Sequence, residues 1–191
     1  MIALNDGLME EVFRMEKETG KIHIYCGNGK GKTTAGMGLI IRAAGCGYRV
    51  LLYQFMKDNK TSERNILEKL ENITVIDGLA QEKFSVQLTA KEKAQRAQFY
   101  EKQFSSVTGE AVKGAYDVLF LDEIVYAIHA GLLKESLVLH FLKQKPEHLE
   151  VILTGNTPSE AMLEAADYVS EIKKIKHPFD KGCRARMGIE K

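Results

Sequence analysis

Ile22-His23-Ile24-Tyr25-Cys26-Gly27-Asn28-Gly29-Lys30-Gly31-Lys32-Thr33-Thr34 is the stretch from which the rest of this 191-residue chain can be read. An apolar run enters a glycine-rich turn, and Gly-Lys-Thr opens a helical segment beyond it. Glycines let a backbone fold tightly enough for successive N–H groups to point at one anion. A helix leaving the turn adds unpaired N–H groups and a partial positive charge. Lys32 can then reach phosphates, and the Thr33 hydroxyl can ligate Mg²⁺. The usual spacing, G-x-x-x-x-G-K-[ST], places its first glycine where this chain has Cys26, so Gly27 and Gly29 supply the turn instead. The expected phosphate-loop contacts are Gly27, Asn28, Gly29, Lys30, Gly31, Lys32, Thr33 and Thr34.

Outward from this loop, strand-like apolar runs alternate with helical patterns. The runs are Lys21–Cys26, Arg49–Phe55, Ile73–Asp77, Asp117–Asp122, Glu150–Thr154 and Tyr168–Lys174. Helical patterns cover Thr33–Ala44, a long segment opened by the capping box Thr89-Ala90-Lys91-Glu92, and a segment opened by Thr157-Pro158-Ser159-Glu160. In the long segment Ala97, Tyr100, Phe104 and Val107 mark one buried face. Nearly continuous apolar strands such as Val118–Leu121 are buried on both faces. Strand–helix alternation with such strands predicts an α/β fold, a mainly parallel sheet flanked by helices. Residues 5–18 read as an amphipathic helix, with Leu8, Val12 and Met15 at helical spacing and Gly20 ending it. The expected organisation is an N-terminal arm over residues 1–20 and a single phosphate-loop domain over 21–191.

Val118-Leu119-Phe120-Leu121-Asp122-Glu123 is the second informative run. A buried strand that ends in acids delivers carboxylates to the edge where parallel sheets bind their ligands. Thr33, Asp122 and Glu123 are therefore the candidate metal ligands, directly or through water, with Mg²⁺ the expected ion.

Composition narrows the field. With 45% hydrophobic and 28% charged residues the chain is of globular type. Its formal net charge of +1 makes no case for nucleic acid or an anionic membrane surface. The first residues lack the basic-then-apolar order of a signal peptide, and no apolar run approaches a membrane span. Cys26, Cys46 and Cys183 form no CxxC pair and no zinc spacing. A cytoplasmic protein is expected.

The loop Gly27–Thr34 and a series of later blocks resemble the ATP:corrinoid adenosyltransferases that carry a P-loop. These blocks are Arg42-Ala43, Gly45-x-Gly47, Gln54-Phe55-Met56-Lys57, Glu63-Arg64-Asn65, Leu121-Asp122-Glu123 and Leu153-Thr154-Gly155. Ser170-Glu171-Ile172, Lys176–Gly182 and Met187–Glu190 continue the series to the end of the chain. That family's loop also lacks the leading glycine. The resemblance implies a P-loop NTPase (RecA-like) fold, ATP and a corrinoid as substrates, and Mg²⁺ as cofactor. It implies that Co(I), supplied by a reductase, attacks the ribose C5′ of ATP and expels triphosphate. Lys32, Thr33 and Glu123 are the expected catalytic residues, and Arg42 and Phe84 join the loop as binding residues. A homodimer, closed by the N-terminal helix, is also implied.

This chain departs from the family in two places. The family usually presents Phe-x-Trp after the third strand to press on the corrin ring, and here the segment reads Phe84-Ser85-Val86. It often has Arg after Thr-Gly, where this chain has Asn156. Two other readings share the same residues. A RecA-like NTP hydrolase or kinase would use Asp122, Glu123 and Arg42 for water-based chemistry. A nucleotide- or corrinoid-binding protein without catalysis would fit the missing Trp.

Overall fold

The computed structural model of the chain describes residues 19–81 and 88–190. All six expected strands form: β1 (Ile22–Cys26), β2 (Val50–Gln54), β3 (Ile73–Ile76), β4 (Val118–Asp122), β5 (Glu150–Thr154) and β6 (Tyr168–Glu171). They make one sheet in the order β3-β2-β4-β5-β1-β6, and every pairing is parallel. The expected α/β class is therefore the one found. Between the strands lie α1 (Lys32–Gly45), α2 (Arg64–Leu67), α3 (Ala90–Lys113), α4 (Ile124–His129), α5 (Glu135–Gln144) and α6 (Glu160–Ala165), and a 3-10 turn covers Pro178–Lys181.

Alternation along the strands divides the core in two. Ile22, Ile24, Leu51, Tyr53, Leu119, Leu121, Val151 and Leu153 point to a face covered by Tyr100, Phe104 and Val107 of α3 and by Val138 and Leu142 of α5. Val50, Leu52, Val118, Phe120 and Ile152 point the other way, onto Met37 and Ile40 of α1 and Leu67 of α2. β2 and β4 are buried at every position, as strands with helices on both faces must be.

The long helix starts where its cap predicts. Thr89 accepts from the Glu92 amide, and Glu92 accepts from the Thr89 amide at 2.9 Å. The second cap is displaced by two residues. α6 begins after Ser159, not after Thr157, because the Ser159 hydroxyl takes the Met162 N–H and is itself gripped by Glu135. Pro158 then precedes the cap. The arm expected over residues 5–18 lies outside the described residues. Gly20 packs where a Cβ would come within 2.5 Å of the Leu149 carbonyl oxygen.

Candidate functional site

Strand register assembles the site. Gln54 lies opposite Asp122, and Leu121 opposite Leu153, so Thr154 falls beside Asp122. Gln54, Asp122 and Thr154 thus end three adjacent strands in one row and share the face that α1 covers. Thr33 stands in the first turn of α1. The helix lies close enough to reach that row because residue 36 is glycine: a Cβ there would drive into the Phe120 ring, meeting its Cε1 at 2.8 Å.

Asp122 is wholly buried, and an uncompensated carboxylate in such a place is strongly destabilising. Here it collects four donors. The Thr33 hydroxyl donates to Oδ1 at 3.0 Å and the Thr154 hydroxyl to the same oxygen at 2.6 Å. Gln54 Nε2 donates to Oδ2 at 3.1 Å, and Lys57 Nζ donates there at 2.7 Å. Lys57 Nζ also lies 3.2 Å from Thr33 Oγ1 and 3.8 Å from Glu63 Oε1. Glu63 in turn accepts from Gln54 Nε2 at 3.0 Å. Arg64, buried on the next turn, is gripped by Glu68, Asp77 and Asn59, which fixes the loop that carries Lys57 and Glu63.

Glu123 follows Asp122 in a left-handed conformation, φ 60°, as the N-cap of α4. A non-glycine residue there is strained, and such strain concentrates at functional sites. Its amide is held by Thr154 Oγ1 at 2.8 Å. Burial pushes its carboxyl above the ordinary value and the neighbouring Asp122 adds to the rise, with Lys57 and Lys32 partly offsetting both.

The loop itself is braced by the far end of the chain. Gly29 N donates to the Ile172 carbonyl at 2.7 Å, Ile172 N to the Cys26 carbonyl at 2.8 Å, and Gly27 N to the Asn156 carbonyl at 2.8 Å. Lys174 N donates to Asn28 Oδ1 at 2.8 Å. Gly27 has φ 98°, and a Cβ on it would stand 2.5 Å from the Ile172 oxygen. Cys26 is the last rung of β1, paired with Glu171, so the left-handed turn starts one residue later than in the usual spacing. That is the physical reason Cys26 serves where a glycine is usual. Gly31, φ 120°, caps α1 without a side chain, which leaves the first amides of the helix to the loop's concavity. Lys32 Nζ folds back onto the Gly29 carbonyl at 2.9 Å.

The structure thus brings Gly27–Thr33, Asp122 and Glu123 together. Thr34 is exposed on the first turn of α1. Arg42 is not brought to them: it sits exposed in the last turn of α1, ten residues beyond Lys32, or about 15 Å along the axis. Its field acts instead on Tyr25. Phe84 lies outside the described residues. Gln54, Lys57 and Thr154 fall within the family-like blocks, but nothing in the sequence gives them a role. Their place beside Asp122 shows only in the register. Next to Lys30, a basic hollow of about 410 Å³ is lined by Lys173, Lys174, Lys176, His177 and Arg186. Arg186 and Lys30 are both paired with Glu190.

A divalent cation fits this donor set. A hydroxyl and a carboxylate are hard oxygen ligands of the kind Mg²⁺ takes, and the Lys57 ammonium already places positive charge between them. Among the described residues no three His, Cys, Asp or Glu side chains gather to cage a metal. Phosphate oxygens are the usual complement to one or two carboxylates.

A braced glycine loop, a helix N-terminus above it and a threonine hydroxyl on a buried strand-end aspartate define a P-loop nucleotide-binding protein. The KaiC-like protein PH0186 of Pyrococcus horikoshii OT3 is similar in fold, with a TM-score of 0.50 at 16% identity over 83% of this chain and 75% of that one. More narrowly, the chain belongs to the ATP:corrinoid adenosyltransferase family, BtuR/CobO/CobP, whose model matches residues 18–190. It is 34% identical to the corrinoid adenosyltransferase of Escherichia coli K12 over 94% of this chain and 89% of that protein. It is 32% identical to the corrinoid adenosyltransferase CobA of Salmonella typhimurium LT2, over 98% and 93% respectively. The family expected from the loop and its neighbouring blocks is the family found.

Proposed function

We propose that this chain transfers the 5′-deoxyadenosyl group of ATP to the Co(I) centre of a corrinoid and releases triphosphate. The observation that carries the reading is the match of residues 18–190 to the adenosyltransferase family, on a chain whose loop, Thr33 and Asp122 are in contact. In this reaction the cobalt electron pair forms a bond to C5′, and the C5′–O bond breaks with its pair leaving on the triphosphate. The nucleophile carries no proton, so no side chain is needed as a base. The chain's task is position and charge.

Loop amides and Lys32 hold the phosphates and stabilise charge as the leaving group departs, with Lys30 at the loop's outer edge. For Lys32 this means leaving the Gly29 carbonyl. Thr33 and Asp122 would hold Mg²⁺, with Glu123 beside them. The chemistry the ion would supply there is Lewis-acid neutralisation of the triphosphate charge. Phe84 belongs to the corrinoid side of this reading. A reductase that supplies Co(I), a homodimer, a cytoplasmic location, and an arm over 1–20 on a single domain over 21–191 complete it. No helix among the described residues is long and apolar enough to cross a membrane.

The test is anaerobic: purified protein, Mg-ATP and chemically reduced cob(I)alamin, followed by the corrinoid spectrum and the phosphate product. A light-sensitive cobalt–carbon bond with one triphosphate per transfer is expected. ADP and phosphate without any alkyl product, on cobalamin and on its precursors alike, would replace the transferase with a hydrolase.

A further inference from the structure

Lys57 reaches both side chains that would hold the metal. Its Nζ is at once 2.7 Å from Asp122 Oδ2 and 3.2 Å from Thr33 Oγ1. A Mg²⁺ ion held by those two side chains would need the same oxygens as its ligands. An ammonium group and a metal ion cannot share that space, and their charges repel. Thr33 and Lys57 are 24 residues apart and Asp122 and Lys57 65 apart, so separate elements converge here on one cation.

Lys57 is well placed to leave. It follows β2 on the connection to α2, and its side chain is 22% exposed while Asp122 is fully enclosed. The partners it would give up, Asp122 and Thr33, are the ones a metal would take over. Glu63 stands on its other side at 3.8 Å. Glu63 is already shared with Gln54, so an ammonium that gives up Asp122 gains a close partner only from an anion that arrives with the metal. The nucleotide's phosphates meet both conditions, for they ligate the ion and can receive the displaced ammonium.

We propose that Lys57 is a resident cation that keeps free divalent metal out of the site and yields only to metal that arrives with nucleotide phosphates. This rests on the proposal that Thr33 and Asp122 hold the metal. Metal and nucleotide then enter as one complex, and metal alone binds weakly. Lys57 is a positioning residue here: it acts through Asp122 and Thr33, and it holds the carboxylate neutralised until the metal does so.

The experiment titrates Mn²⁺ into the full chain and follows free ion by electron paramagnetic resonance, with and without ATP. Lys57→Met should bind Mn²⁺ without nucleotide about tenfold or more tightly than the parent, the scale of a charge-assisted hydrogen bond that no longer has to be broken. The same variant should bind Mn²⁺-ATP more weakly, because the phosphates lose a cation. Lys57→Arg keeps the charge and should exclude free Mn²⁺ as the parent does. If the methionine variant does not fold, Lys57→Gln, which keeps a donor without charge, takes its place. These opposite signs are not what loss of a merely structural lysine gives. If the neutral variants bind free Mn²⁺ no better than the parent, while Asp122→Asn abolishes Mn²⁺-ATP binding, displacement is wrong and the metal site stands. If Asp122→Asn binds Mn²⁺-ATP as the parent does, the metal assignment fails, and the role of Lys57 fails with it.

Discussion

Gly36→Ala should damage nucleotide binding far more than stability. The added Cβ would run onto Phe120 Cζ, its nearest neighbour, and meet Cε1 at 2.8 Å and Cε2 at 2.9 Å, against an ordinary contact of 3.4–4 Å. Phe120 is fully buried between β2 and β5, so the ring has little room to yield and α1 must lift by about 1 Å to clear Cζ. Overpacking of this kind is destabilising by about 1–3 kcal/mol, and exchanging glycine for alanine inside a helix returns about 1 kcal/mol. A net loss of about 1 kcal/mol lowers Tm by roughly 3 °C in a chain of this size. Thr33 begins the same helix three residues earlier, and its 3.0 Å bond to Asp122 does not survive such a lift. Displaced support of a metal ligand weakens metal affinity about 10–100-fold. Circular dichroism melting and calorimetric titration with Mg-ATP measure the two effects. Gly38→Ala, on the same helix with nothing within 4 Å of its Cβ, is the control and should be stabilised with unchanged binding. A Gly36→Ala protein that melts higher and binds Mg-ATP as the parent does would refute the close α1–β4 packing as the cause of the site's geometry.

Glu123→Gln tests the raised carboxyl. A folded value above the ordinary one means that ionisation opposes folding, so the favourable contribution is complete below the unfolded value and is lost as pH rises through the folded one. The variant, which cannot ionise, should melt above the parent at pH 8 and converge with it below about pH 4. Equal melting temperatures across that window would contradict the burial argument. Lys32→Met should lower the rate of adenosyl transfer by about 10²–10³, measured in the anaerobic assay at saturating ATP. Removing the α3 cap with Thr89→Ala should destabilise by about 1 kcal/mol and leave Mg-ATP affinity unchanged, since only the hydroxyl's bonds with Glu92 are lost.

Much of this architecture is legible in the sequence because it is local. Short apolar runs announce each strand, and the glycine loop announces its helix. Asp122 and Glu123 announce the tip of β4. The features that stay hidden depend on register. That Gln54 and Thr154 finish level with Asp122 is set by which rungs pair, and no single segment encodes that. Lys57 looks like an ordinary loop lysine until β2 and β4 are laid side by side. The cap at Ser159 escapes a sequence reading for a similar reason, since Glu135, from another element, decides which hydroxyl is held. Arg42 shows the converse: a block that matches in sequence carries a residue that its helix sets in the last turn, away from the loop.

The brace from Ile172 to Gly29 has a consequence for how the protein is made. The loop is complete in sequence by Thr34, yet its hydrogen-bonded floor comes from residues about 140 positions later. A nascent chain that has released only its first five strands lacks the carbonyl that receives the Gly29 amide and the amide that holds Asn28. Competence for ATP therefore waits for β6 to emerge and dock on β1.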